Sequence, residues 1–350
     1  METVKRSNNQ SNNDENAILT VSNVKKWFPV NEQSILFSKT IAFVKAVNGV
    51  SFKLYKGETL GLVGESGCGK STLAKLIMGL ERPTEGEIKY RTKNVNSDDE
   101  LEKRLYKGNV QMIFQDPFSS LNPRMTIYDI LKEPYLVQRH FAKQMNIDEI
   151  NFDDEQIRER ILKLLNVVGL ENYHALRYPH EFSGGQRQRV GIARSLAMSP
   201  EIIVADEPVS ALDVSIQAQI LNLLKEIQKR FDLTYLFIAH DLSVVKHVSD
   251  RIMVMYLGKS MELAPKKILY NSPAHPYTIS LLSAIPRVNP DERKDRIILE
   301  GDVPSPISPP KGCVFSSRCY KVQDKCKEEI PEFIEIKPEQ FVACFYPEIA

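Results

Sequence analysis

No run of about 18 apolar residues occurs in the 350-residue sequence, so no membrane-spanning helix is predicted. The start, Met1-Glu2-Thr3-Val4 followed by Asn, Ser and Gln, holds no apolar core, and no secretory signal is predicted. An excess of one charge is also missing. The 46 Lys and Arg stand against 45 Asp and Glu, a formal net charge of +1, without a basic stripe, which argues against nucleic acid as a main partner. No internal repeat is present. Cysteine is scarce, five in all, and four of the five fall in the last 38 residues. The expectation is a cytoplasmic chain that reaches a membrane only through partners. With 42% hydrophobic and 26% charged residues it has the composition of a globular protein, and its length allows two or three domains.

The stretch around which the chain is organised is Gly64-Glu65-Ser66-Gly67-Cys68-Gly69-Lys70-Ser71-Thr72. It fits the phosphate-loop pattern G-x-x-x-x-G-K-[ST]. Its glycines permit a tight backbone close to a ligand, with N–H groups turned inward towards a polyanion. The run Thr59–Val63 before it reads as a buried strand. Ser71 to about Gly79 reads as a helix whose positive end faces the phosphates. Lys70 supplies charge for the β- and γ-phosphates and Ser71 a hydroxyl for Mg²⁺.

Periodicity orders the rest of the chain. Residues 1–16 are Asn/Ser-rich and predicted disordered. Strands are expected at Ile18–Val21, Val50–Leu54, Glu87–Tyr90 and Val110–Phe114, with Val30–Val44 an irregular insertion. Residues 126–178 turn helical and interrupt the α/β pattern as a helical subdomain. The pattern resumes with helices at Gln186–Ala197, Val214–Phe231 and Leu242–His247, and strands at Ile202–Ala205, Thr234–Ala239 and Arg251–Leu257. Beyond about Ala264, closely spaced prolines mark a C-terminal extension.

The apolar strand Ile202-Ile203-Val204-Ala205 ends in Asp206-Glu207. Carboxylates at such a strand end lie beside a phosphate loop. Asp206 is expected to hold Mg²⁺, and Glu207 to polarise the attacking water, in a phosphoryl transfer governed by positioning and charge. Upstream, Phe182-Ser183-Gly184-Gly185-Gln186-Arg187-Gln188-Arg189 is a glycine turn opening a helix, with Ser183 as N-cap. With this turn the chain resembles the ATP-binding cassette family over roughly residues 17–265. The resemblance assigns further roles. Gln115 senses Mg²⁺ and the γ-phosphate, and Ser210-Ala211-Leu212-Asp213 is the loop after the catalytic glutamate. His240 contacts the γ-phosphate. Phe28 is the candidate for stacking on adenine, with Trp27 the alternative. It implies a P-loop NTPase core of α/β class with a mixed sheet, a helical subdomain at about 125–185 and an antiparallel β subdomain. It also implies two ATP molecules between head-to-tail cassettes, each held by one phosphate loop and the partner's Ser183–Gln186-type turn.

Three stretches narrow the resemblance: Lys26–Val30, Phe114–Pro123, and His275-Pro276-Tyr277-Thr278 with Gly301–Pro306 and Pro309–Cys313. They resemble the oligopeptide, dipeptide and nickel importer ATPases, and the first favours the F-type subunit. The implied partners are a D-type ATPase in a heterodimer, two transmembrane permeases and an extracytoplasmic peptide-binding protein. The implied place is the cytoplasmic face of the membrane. A soluble, non-transport cassette is the rival reading. Residues 266–350 would form a small module around Cys313, Cys319, Cys326 and Cys344, spaced Cys-x5-Cys-x6-Cys-x17-Cys. Four thiolates suit Zn²⁺ or a [4Fe–4S] cluster, and the spacing leaves this open alongside free thiols. The resemblance tips the expectation to [4Fe–4S].

Overall fold

The structure is a computed structural model that describes residues 16–33, 38–116, 118–145, 151–285 and 296–349. All but the last residue of the tail expected at 1–16 lies outside these. The chain divides into two compact units, one of Met1–Asp98 with Phe237–Ala350, the other of Asp99–Leu236.

The strands in chain order are β1 (Ala17–Gln33), β2 (Ser38–Tyr55), β3 (Thr59–Val63), β4 (Glu85–Tyr90), β5 (Lys93–Asn94), β6 (Val110–Ile113), β7 (Ile202–Asp206), β8 (Thr234–Ala239), β9 (Arg251–Tyr256), β10 (Lys259–Pro265), β11 (Ile334–Lys337) and β12 (Gln340–Val342). The helices are α1 (Lys70–Ile77), α2 (Glu100–Asn109), α3 (Ile127–Met145), α4 (Asp154–Val167), α5 (Gly184–Leu196), α6 (Val214–Phe231), α7 (Leu242–Val248), α8 (Lys266–Asn271), α9 (Pro276–Ser283) and α10 (Asp324–Glu328).

The first unit holds an antiparallel sheet in the order β2-β1-β4-β5. Its long β1–β2 pairing corrects the irregular insertion expected at Val30–Val44. Phe28 pairs with Val44 and Val30 with Ala42, with register shifts along the ladder. Those shifts break the period-2 alternation by which a strand is read from sequence. A mixed sheet in the same unit runs β11-β12-β10-β9-β3. Here β3 and β9 are parallel, Leu62 opposite Met253, while β9–β10 and β10–β12 are antiparallel. All five residues of β3 are buried, as the continuous apolar run of a strand covered on both faces requires. The stretch beyond Ala264 lends this sheet β11 and β12, which the sequence did not reveal.

In the second unit β6 and β7 pair in parallel, Val110 opposite Ile202 and Ile113 opposite Ala205. The helical block at 126–178 resolves into α3, α4 and a 3-10 turn at Asn172–Leu176. Helix α4 starts where Asp153 accepts from the Gln156 amide and Gln156 bonds back to the cap, a capping box. It buries Ile157, Ile161, Leu164 and Leu165, the one-face spacing of an amphipathic helix. The chain passes from this unit to the first within β8.

Candidate nucleotide site

The phosphate loop lies between β3 and α1 in the first unit, where the backbone explains its glycines. Gly64 has φ 157° and Gly69 φ 104°. A Cβ at Gly64 would run into the Met255 carbonyl oxygen, and one at Gly69 into that of Ala46. Only glycine fits where the loop is pressed against β9 and β2. The Gly258 amide donates to the Cys68 carbonyl at 2.9 Å, and the Asn48 amide to that of Gly258 at 2.8 Å, which braces the loop from behind. Gly69 caps α1 without a side-chain hydrogen bond, and a helix N-terminus of this kind faces an anion favourably.

Within the loop, Ser66, Gly67 and Ser71 are exposed and Thr72 is half-buried. Lys70 is buried and donates to the carbonyls of Gly64 at 2.8 Å and Glu65 at 3.1 Å. Its ammonium thus sits inside the loop. Cys68 is buried beside it, with Sγ 3.7 Å from Lys70 Nζ. Burial pushes its thiol up, and the neighbouring Lys70 charge offsets this only in part. Cys68 is a packed, neutral thiol of the loop.

Two contacts on the loop were not anticipated. The Glu65 amide donates to the Tyr277 hydroxyl at 3.1 Å, and Arg318 Nη1 donates to Glu65 Oε2 at 2.7 Å. Tyr277 lies in a stretch already singled out for resemblance; Arg318 carried no sequence signal. Phe28 is half-buried under the Lys26 ammonium, 5.0 Å from its ring centroid. Trp27, on the opposite face of β1, lies between Lys25 and Lys45 at 5.5 and 5.7 Å. His240 follows β8 and is exposed.

In the second unit, Asp206 ends β7 and is buried. Glu207 follows with φ 45°, a left-handed backbone that a non-glycine residue adopts at a cost. The Ser210 amide and hydroxyl both donate to the Glu207 carbonyl, at 3.2 and 3.1 Å, and hold this turn. Gln115 Nε2 donates to Glu207 Oε2 at 3.1 Å. Two residues 92 positions apart and flagged separately in the sequence thus meet. Ser183 caps α5, its hydroxyl accepting from the Gln186 amide at 3.3 Å while Gln186 Oε1 accepts from the Ser183 amide at 3.0 Å. Gly184 and Gly185 form the first turn. A Cβ on Gly185 would lie 2.6 Å from Ile216 Cγ2. Asp213 is exposed at the start of α6.

The four C-terminal cysteines line one small cavity with His275 and Phe315, among others, of about 20 Å³. That is room for about one water molecule, not for a four-iron cube. Burial holds the Cys313 and Cys344 thiols up at about 11 and raises Cys319 too. Among the described residues no group of three or more His, Cys, Asp or Glu is placed to hold a metal ion. The expected [4Fe–4S] cluster, and zinc with it, is therefore not supported: the four cysteines line a cavity with room for about one water.

Taken separately, the strand–loop–helix phosphate cradle and the strand-end carboxylates are the parts of a nucleoside-triphosphatase of the phosphate-loop class. Residues 47–210 match the ABC transporter family, and residues 261–326 match the oligopeptide/dipeptide transporter C-terminal region. The chain is 53% identical over 335 residues to the oligopeptide transport ATP-binding protein AppF of Bacillus subtilis, covering 95% of this chain and 98% of that one. It is 46% identical to the dipeptide transport ATP-binding protein DppF of Escherichia coli, over 94% of each. Among solved structures it resembles a dimeric post-hydrolysis state of the ATP-binding cassette MJ0796 bound to ADP and Pi, with TM-score 0.60, 29% identity, and 71% of this chain and 98% of that one covered. The chain belongs to the ABC transporter ATPases of the oligopeptide/dipeptide importer family, whose chemistry is ATP hydrolysis coupled to transport. Among the described residues no helix is long and apolar enough to cross a membrane.

Proposed function

We propose that this chain is the F-type ATPase of a peptide importer, working at the cytoplasmic face of the membrane. Its partners are a D-type ATPase, two permeases and an extracytoplasmic peptide-binding protein. The observation that carries the reading is the Gln115–Glu207 hydrogen bond. It joins the residue assigned to sensing Mg²⁺ and the γ-phosphate to the one assigned to polarising water.

In this reading the loop of Gly64, Glu65, Ser66, Gly67, Cys68 and Gly69 wraps the phosphates, and Lys70, Ser71 and Thr72 bind phosphate and Mg²⁺. Asp206 and Gln115 complete the Mg²⁺ site, Glu207 orients water, His240 contacts the γ-phosphate and Phe28 stacks on adenine. Transfer to water needs little covalent help, so charge and placement supply the rate. The Ser183–Gln186 turn, with Asp213 at the start of α6, faces the γ-phosphate held by the partner ATPase. The helix α5 N-terminus suits that anion. Hydrolysis then loosens the dimer. The Gln115–Asn122 loop and the helical subdomain receive a permease helix. Exposed Phe118 and Val137, at 62% and 56%, and a groove of about 900 Å³ in the second unit, lined in part by Arg104, Pro134, Phe141 and Phe152, support that role. The cassette is taken as residues 17–265 and the extension as 266–350.

The test is ATP turnover by the complex co-purified with this chain and reconstituted in lipid, with its binding protein loaded with dipeptides, longer peptides or nickel. Stimulation by one peptide class is the expected result. If no permease co-purifies and no loaded binding protein stimulates, the importer reading fails.

A further inference from the structure

The C-terminal extension meets the phosphate loop at Glu65 through two hydrogen bonds. Arg318 Nη1 donates to Glu65 Oε2 at 2.7 Å, and the Arg318 side chain is only 10% exposed. The Glu65 amide donates to the Tyr277 hydroxyl. Both partners are firmly seated. Tyr277 is fully buried among Tyr256 and Phe315, with ring centroids 4.8 and 5.2 Å away. Arg318 ends the 3-10 turn Ser316–Arg318, where its amide donates to the Phe315 carbonyl at 3.0 Å and the Ser316 amide to that of Cys313 at 3.0 Å.

The charge arrangement gives the contact a consequence. A phosphate loop takes a polyanion, yet this one carries a carboxylate at its second residue. An unpaired carboxylate there repels the ligand, and in a partly buried place that repulsion is poorly screened. Arg318 cancels it. Tyr277 fixes the direction of the Glu65 amide, and so the entry into the loop's tight turn.

The geometry points to Arg318 as a positioning residue for ATP: through Glu65 it neutralises and orients the phosphate loop from the C-terminal extension, with Tyr277 as its backbone support. This rests on the reading that the loop binds ATP. Arg318 acts on the loop through Glu65. The cassette's affinity for ATP therefore depends on a segment outside the cassette motifs.

The test uses the full chain, with ATP affinity read by titration of a fluorescent ATP analogue and by KM for ATP in the reconstituted complex. Arg318→Ala is expected to weaken ATP about tenfold in KM with kcat changed less than about twofold, because the lost interaction acts on binding. Arg318→Lys recovers most of the loss. Adding Glu65→Gln to Arg318→Ala also recovers it, since the repelling charge is then gone, and a purely structural role predicts no such rescue. Tyr277→Phe weakens ATP to a smaller extent, and it carries the test if Arg318→Ala melts before it can be titrated. A folded Arg318→Ala with wild-type KM overturns the proposal, as does a double variant no better than the single one. Lys70→Ala separates the two failures. If the wild-type chain binds ATP and Lys70→Ala does not, the site stands and only the role of Arg318 is in question. If the wild type binds no ATP, the reading of the loop falls and the proposal with it.

Discussion

Glu207 is held in a conformation that its side chain disfavours, at φ 45°, with Ser210 clamping its carbonyl and Gln115 its carboxylate. Strain kept at one residue by its neighbours is characteristic of a group whose direction matters. Glu207→Gln preserves size and the turn while removing the base. We expect it to keep ATP binding and to lose turnover by at least about a hundredfold, the scale of general-base catalysis. An ATPase assay beside equilibrium nucleotide binding checks this, and normal turnover would refute the assignment. Cys68 makes a second residue-level prediction. Burial raises its thiol pKa and the thiolate is the reactive form. Iodoacetamide at neutral pH should leave Cys68 unmodified in the folded chain and label it on unfolding, as read by mass spectrometry. Sequence flagged Glu207 and Cys68 by motif position. It held no sign of the left-handed turn at Glu207 or of Arg318 on Glu65, because both depend on chain segments far apart in sequence.

Among the elements, α5 ties the Gln115–Asn122 loop to the Ser183–Gln186 turn. The Arg187 guanidinium stacks 3.8 Å over the Phe118 ring, and Arg194 Nη1 donates to the Ser120 carbonyl at 2.8 Å. Any displacement of that loop therefore acts on the helix that carries Ser183–Gln186. The start of α5 is also closely packed. Gly185→Ala puts a Cβ against Ile216 Cγ2, and overpacking of this kind costs about 1–3 kcal/mol. Denaturant unfolding should show that loss, and Ile216→Ala in the same chain should reduce it. A Gly185→Ala variant as stable as wild type would mean that α6 yields at no cost. The elements most legible in sequence were those buried on both faces or amphipathic throughout. β3, α6 and β8 carry the limits expected for them, Thr59–Val63, Val214–Phe231 and Thr234–Ala239. The far half of the β1–β2 pairing was not legible, because register shifts scramble its alternation. Nor were β11 and β12, short strands of four and three residues that exist by pairing with each other and with β10.

On the scale of the molecule, the proposed heterodimer makes a prediction about assembly. In that proposal each ATP lies between a phosphate loop from one chain and a Ser183–Gln186-type turn from the other. The Glu207→Gln chain with ATP should stay monomeric by light scattering and dimerise when the partner ATPase is added. Cooperative turnover by this chain alone would contradict that division of labour. The sequence by itself determined the family, the phosphate-loop motif, the pair of strand-end carboxylates and the order of the main elements. These are encoded locally, in glycine placement, strand-end acids and hydrophobic period. Only the tertiary structure decided that Gln115 reaches Glu207 and that the C-terminal extension grips the phosphate loop at Glu65. It also decided that four cysteines in the right number for a cluster surround a space for about one water. Each of these is a distance between groups remote in the chain, and such distances are set by packing, on which residue spacing is silent.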